Sequence, residues 1–177
     1  TVIQSGAKAV VFDIDETLTT DDREQVLDYT SIESASARGG AAELVNSYVA
    51  KGYHPLFVTA RPYWYAKGTR RWLSNHLGVP EATLRTTLSN TTTLLNPAEY
   101  KTQVLEEVKA PGMEIVRAYG NATTDIVGFA DAGIPLSEIY IVGDNAGEMG
   151  SQPIAGGNYT NHLSSVVAAT PDSGCRR

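Results

Sequence analysis

Cysteine occurs once in the 177 residues, at Cys175. An internal disulfide is therefore excluded, and so close to the chain end the thiol reads as a tail group. Long apolar runs are absent as well: no stretch approaches the roughly 20 residues that a membrane-spanning helix needs. Positive charge is scarce, with 14 Lys and Arg against 20 Asp and Glu and a net charge of −6. That balance excludes a nucleic-acid or anionic membrane surface held by bulk charge. An anionic ligand stays open, because a bound cation and a few basic side chains can govern one pocket.

What is present is ordinary for a soluble chain: 42% hydrophobic and 19% charged residues. The length suits a single domain over residues 1–177 with one buried core. The chain opens on Thr rather than Met, which reads as processing or trimming, and no signal peptide is visible. Asn-x-Thr triplets begin at Asn90, Asn121 and Asn158. In so Thr- and Asn-rich a chain they read as chance, and lean the expectation toward an exported protein without fixing a compartment. Nothing bears on oligomeric state.

Strand and helix patterns alternate. Short apolar runs at residues 9–12, 55–58, 113–118 and 139–142, with a weaker one at 84–88, predict five strands buried on both faces. Between them lie helical patterns at 35–51, from Pro62 to Gly78, after Asn96-Pro97, and at 124–132. The remainder, rich in Gly, Asn, Ser and Thr, reads as loop with a short helix near residues 163–168. The expectation is an α/β fold, a parallel five-stranded sheet with right-handed crossovers and helices on both faces. Ligands then sit beyond the carboxyl ends of the strands.

Those ends carry the chemistry. Asp13 and Asp15 follow the first strand, with Thr17 behind them. Two carboxylates two residues apart at an open sheet edge repel unless a cation joins them, and magnesium takes oxygen ligands with phosphate oxygens as the remainder. A carboxylate can also attack phosphorus, and a second acid can serve the leaving oxygen and then water. A bare Asp-x-Asp is as often an exposed turn. Thr59 and Arg61 follow the second strand and suit a phosphate, although Thr59 reads equally as a helix cap and Arg61 as a solvated turn residue. Lys101 lies in the first turns of its helix, where the macrodipole mildly disfavours it, so a specific partner is expected. Gly120 permits a tight turn after the fourth strand, and Asn121 and Asp125 are oxygen ligands or caps at the helix that follows.

In order and placement these pieces resemble the haloacid dehalogenase-like (HAD-like) phosphatase superfamily. Asp13, Asp15 and Thr17 match its first motif, Thr59 its second, Lys101 its third, and Asn121 with Asp125 its fourth. The match runs from about residue 9 to 142. A narrower likeness, carried by "DIDETLT", "VTARP", "NPAEYK" and "YGNATTDIVGFADAGIPLSEIYIV", is to lipin-type phosphatidate phosphatases and the C-terminal domain of large phosphatidylinositol-transfer proteins. The resemblance implies a three-layer Rossmann-like domain that hydrolyses a phosphomonoester with Mg2+. Asp13 would be nucleophile and metal ligand. Asp15 would be general acid and base, with its carbonyl on the metal. Thr59 and Lys101 would hold the phosphoryl group, Asn121 and Asp125 would complete the metal site, and Thr17, Arg61 and Gly120 would line the substrate site. The chain departs in carrying Glu16 where lipins usually have Gly, and in lacking a basic amphipathic helix for membrane docking.

Residues 20–34 are short and polar, a flap at most, and a helix, a weak strand and a loop fill the chain between Thr59 and Lys101. A capless, open site is expected, suited to a phosphate on a phospholipid or another large substrate. Core packing is a simpler account of Tyr63, Trp64 and Tyr65 than an aromatic wall at the site. Two alternatives stay in view: a phosphate- or phospholipid-binding module without turnover, and a receiver domain, which the lack of an Asp after the third strand disfavours. Gly143-Asp144-Asn145 resembles another form of the fourth motif, leaving Asp144 a candidate supporting residue.

Overall fold

The computed structural model describes residues 6–20, 33–80, 82–88 and 96–174. Asp21, Asp22, Arg23 and Glu24 of the expected flap, Asn90 and Cys175 lie outside them.

Along the chain run β1 (Lys8–Phe12), α1 (Ala41–Ala50), β2 (His54–Pro62), α2 (Ala66–Trp72), β3 (Thr83–Thr87), α3 (Pro97–Lys109), β4 (Glu114–Gly120), α4 (Thr123–Asp131), β5 (Ile139–Val142) and β6 (Gln152–Ile154). All strands pair in parallel, in the order β3-β2-β1-β4-β5-β6. Among the described residues the sheet thus has six strands, not five. The extra one is three residues long with Pro153 at its centre, too short to show a period, and a proline without an N–H is tolerated at this edge. The final helical stretch, Thr160–His162, widens into a π-helical segment, Leu163–Val167. It matches the short helix expected near residues 163–168.

Alternation along β1 explains the three layers. Val10 and Phe12 face one side, with Leu44, Tyr48, Phe57 and Trp72. Ala9 and Val11 face the other, with Leu105, Val108, Ile126 and Phe129. A strand covered on both faces has no polar side to offer, hence its continuous apolar run. Phe12 stacks on Tyr119 and Phe57, with ring centroids 5.3 and 5.6 Å apart. Burying each such side chain stabilises the fold by about 2–3 kcal/mol.

β1 lies between β2 and β4, and chain direction across the sheet reverses there. That is a topological switch point, where an open parallel sheet leaves a crevice beyond its strand ends. Asp13 begins the loop at this point, its N–H donating to the Tyr119 carbonyl at 2.9 Å.

Two local expectations need correction. The first helix starts at Ala41, because Gly39 and Gly40 interrupt the pattern and Gly40 takes a left-handed φ of 81°. Tyr63 and Trp64 are not core residues: they are 57% and 46% exposed and meet edge-on at 5.4 Å. A short 3-10 turn, Tyr63–Tyr65, carries them outward before α2 begins.

Candidate active site

Four loops meet at the switch point. From the β1 loop, Asp13 accepts from Lys101 Nζ through Oδ1 at 2.7 Å and from Thr17 Oγ1 through Oδ2 at 2.9 Å. The same Thr17 hydroxyl lies 3.1 Å from Asn121 Oδ1. Lys101 also donates to Asp125 Oδ1. Asp125 Oδ2 accepts from the N–H groups of Asn121 and Ala122 at 2.9 and 3.0 Å, which caps the start of α4. All five side chains are buried.

Glycine makes this approach feasible at two positions. A Cβ on Gly120 would stand 2.5 Å from Asp125 Cβ, closer than any real contact. On Gly128 it would stand 2.8 Å from the Ala98 carbonyl and 3.0 Å from Lys101 Cβ. The first lets Asp125 fold back on the β4 turn. The second lets α4 lie against α3, so that Lys101 reaches both carboxylates.

Asp15 faces elsewhere. Arg61 grips it through Nε, at 3.0 and 3.1 Å, and Nη2, at 2.7 Å, and Thr59 Oγ1 donates to it at 3.1 Å. Arg61 Nη1 donates to Thr69 Oγ1 at 3.1 Å. Arg61 is thus buried, with its fork engaged with Asp15 and Thr69, and is not a solvated turn residue. Thr59 also accepts from the Arg61 N–H at 3.1 Å, so its hydroxyl fixes the turn as well as Asp15.

Residues without a sequence signal hold the loop. Arg38 Nε donates to the Thr17 carbonyl at 2.9 Å, Nη1 to that of Gly157 at 2.7 Å, and Nη2 to that of Glu16. Tyr159 Oη donates to the Thr17 carbonyl at 3.0 Å. Asn145, rather than its neighbour Asp144, serves the site, its Nδ2 donating to the Asn121 carbonyl at 2.8 Å. Glu16 takes a left-handed φ of 55°, which costs a non-glycine residue about 1 kcal/mol. Its Oε2 accepts from Asn121 Nδ2 at 2.9 Å. Asn121 is also a buried residue of this site, so the triplet it begins presents no surface acceptor for a glycan.

Charge at the site is unbalanced. Four carboxyl groups, of Asp13, Asp15, Glu16 and Asp125, meet three basic side chains, Lys101, Arg61 and Arg38. Burial pushes the Asp13 carboxyl up to about 7, with Asp125 and Asp15 adding to the rise and Lys101 opposing it. Burial alone would lower Lys101, but Asp125 and Asp13 outweigh it and raise it, so the ammonium stays charged. The surplus favours a cation, and the donors suit a hard one. Among the described residues no three His, Cys, Asp or Glu side chains form a metal cluster. The oxygens that converge are instead a carboxylate and an amide carbonyl, both within reach of one Thr17 hydroxyl. Magnesium accepts such a partial set and leaves positions for phosphate and water.

The LNS2 domain described for PITM 1-3 matches residues 10–143, most of the chain and all of the residues just described except Asp144, Asn145, Gly157 and Tyr159. The chain belongs to the LNS2 domain family. Membrane-associated phosphatidylinositol transfer protein 1 from Rattus norvegicus is 28% identical over 174 residues, covering 96% of this chain. Protein 3 from Mus musculus is 27% identical over 173 residues, again covering 96%. The chain spans only 13% and 16% of the length of these two relatives. Solved structures share the fold of this LNS2 domain. A HAD-like phosphatase from Mesorhizobium loti, itself described as putative, superposes with a TM-score of 0.68 at 15% identity, covering 100% of this chain and 92% of that one. A phospho-aspartyl intermediate analogue of phosphoserine phosphatase gives 0.61 at 16% identity, covering 89% and 98%. A D,D-heptose 1,7-bisphosphate phosphatase from B. bronchiseptica, complexed with magnesium and phosphate, gives 0.59 at 12%, covering 84% and 92%. The LNS2 domain therefore has the HAD-like phosphatase fold, as its motifs implied.

Proposed function

We propose that this chain is a magnesium-dependent phosphatase that hydrolyses a phosphomonoester through an aspartyl-phosphate on Asp13. The observation that carries the reading is the setting of Asp13. It is a buried carboxylate at the switch point, with Lys101 on one oxygen and Thr17 on the other.

Asp13 attacks phosphorus, the bond to the leaving oxygen breaks, and Asp15 gives that oxygen a proton. Water then attacks the aspartyl-phosphate and returns a proton to Asp15. The bond from phosphorus to Asp13 breaks and inorganic phosphate leaves. Lys101 and Thr59 steady the phosphoryl oxygens, Arg61 sets the position of Asp15, and Gly120 keeps the floor of the site open to Asp125. Asp13, the Asp15 carbonyl and Asn121 would hold the magnesium, with Asp125 behind them, and the ion would neutralise charge on the phosphoryl oxygens.

The substrate we propose is a phospholipid or another large phosphorylated molecule. The described elements between Thr59 and Lys101 belong to the sheet and its covering helices, which supports a capless site. The names of the transfer-protein relatives support a lipid, and Tyr63 and Trp64 expose aromatic surface just past β2. Phosphate release is the test, using p-nitrophenyl phosphate, phosphatidate, a phosphoinositide, a nucleotide and a phosphopeptide, with and without Mg2+. Mg2+-dependent release that Asp13→Asn abolishes supports the reading.

One observation favours a second reading, a phosphate- or phospholipid-binding module of the same fold. Both Asp15 oxygens are tied to Arg61, and a general acid must be free to meet the leaving oxygen. Saturable binding of phosphatidate vesicles with no turnover of any ester in the panel would favour it.

A further inference from the structure

Glu16 combines two features that the proposed chemistry leaves unexplained. It holds a left-handed backbone conformation, φ 55°, that glycine would take without strain. Its carboxylate reaches across to the β4 turn and accepts from Asn121 Nδ2 at 2.9 Å. The backbone there is pinned from both sides: the Glu16 N–H donates to Thr19 Oγ1 at 3.0 Å, and Arg38 holds the Glu16 carbonyl.

A carboxylate only accepts hydrogen bonds, so the NH2 end of the Asn121 amide must be the end that faces Glu16. The carbonyl end is then turned the other way, to the Thr17 hydroxyl 3.1 Å off and to the side where Asp13 Oδ2 also lies. Without an acceptor at Glu16 no hydrogen bond among the described residues holds the NH2 end on that side, and the end that meets Thr17 can be the NH2 group, which cannot bind a cation. Asn145 secures the Asn121 backbone carbonyl but leaves the side-chain rotation free.

We propose that Glu16 is a positioning residue for the cation site: it orients the Asn121 amide so that Oδ1 faces the cation beside Asp13. This rests on the reading of the site as a magnesium site, and it assigns to the residue between the second acid and Thr17 a duty that a glycine could not perform. Groups that orient metal ligands from behind typically change metal affinity by about 10–100-fold when removed.

Mn2+ binding followed by electron paramagnetic resonance, with Mg2+ as competitor, tests this directly on the full chain. Glu16→Gly and Glu16→Ala should weaken Mn2+ binding at least tenfold. Glu16→Gln keeps a carbonyl acceptor for Asn121 and should stay within about threefold of the parent protein, well inside the loss expected when the bond is removed. In the absence of metal, Glu16→Gly should melt at or above the temperature of the parent, because glycine relieves the backbone. A Glu16→Gly protein that binds Mn2+ as tightly as the parent overturns the proposal and leaves the magnesium reading standing. So does a Glu16→Gln protein as weak as Glu16→Ala, which makes Glu16 a direct ligand instead. A parent protein with no saturable Mn2+ binding overturns both.

Discussion

Lys101 Nζ lies 2.7 Å from Asp13 Oδ1 and is shared with Asp125, so one buried ammonium ties the end of β1 to the start of α4. Both partners are nearly inaccessible, which makes this pair more consequential than a surface ion pair. Replacing Lys101 by Met strands two carboxylates in a buried site. The expected cost is about 3–5 kcal/mol of stability, as for other buried pairs broken on one side. Urea unfolding monitored by tryptophan fluorescence checks this. Loss of phosphate release should accompany it, and adding Mg2+ should recover part of the stability by supplying a cation.

Gly120 gives a purely steric prediction. Alanine there puts a methyl carbon 2.5 Å from Asp125 Cβ and 2.7 Å from its Oδ2, in a side chain held by Lys101 and by the N–H groups of Asn121 and Ala122. Overpacking of this kind costs about 1–3 kcal/mol. Because the displaced group is Asp125, activity should fall more than stability does. Comparing melting temperature with kcat/KM for Gly120→Ala separates the two effects.

His162 gives a pH dependence away from the Asp13 cluster. It is buried, its Nε2 lies 2.8 Å from Tyr119 Oη, and it packs on the Tyr140 ring at 4.7 Å. Arg117 is held close by, with Nη1 2.7 Å from Tyr48 Oη and its guanidinium over Tyr140 at 5.1 Å. Burial first, and Arg117 second, lower the His162 imidazolium from 6.5 to about 4. The sign follows from linkage. Above 6.5 the ring is neutral in both folded and unfolded chains and costs nothing. Between 6.5 and about 4 the unfolded chain takes a proton that the folded one refuses, so stability falls as pH falls. The full loss is on the order of 3 kcal/mol. Urea midpoints measured from pH 7 to 4.5 should fall more steeply for the parent than for His162→Gln, and equal slopes would contradict the assignment.

Much of the site could be read from the chain because its residues follow buried strands directly. An apolar run such as residues 9–12 fixes where the strand ends, and the fold rule then places Asp13 and Thr59 at one sheet edge. The bounds of β5 were legible for the same reason. The sixth strand was not, since three residues around Pro153 carry no period. Exposure of Tyr63 and Trp64 is not legible, because an aromatic run looks the same in a core as on a protruding turn. Arg38 and Tyr159 act on backbone carbonyls far along the chain, and no spacing rule announces such contacts. The left-handed backbone at Glu16 was equally silent, because a glutamate in the sequence gives no sign of positive φ.

Every step of the proposed reaction depends on attack of Asp13 on phosphorus. Acid-quenched reaction of Asp15→Asn with p-nitrophenyl phosphate and Mg2+, followed by peptide mass spectrometry, tests it most directly, because loss of the second acid should slow breakdown of the intermediate. One phosphoryl group is expected on the peptide that contains Asp13, and none when Asp13→Asn is added. A parent enzyme that releases phosphate while Asp13 never carries the label, or a label on another side chain, would contradict it.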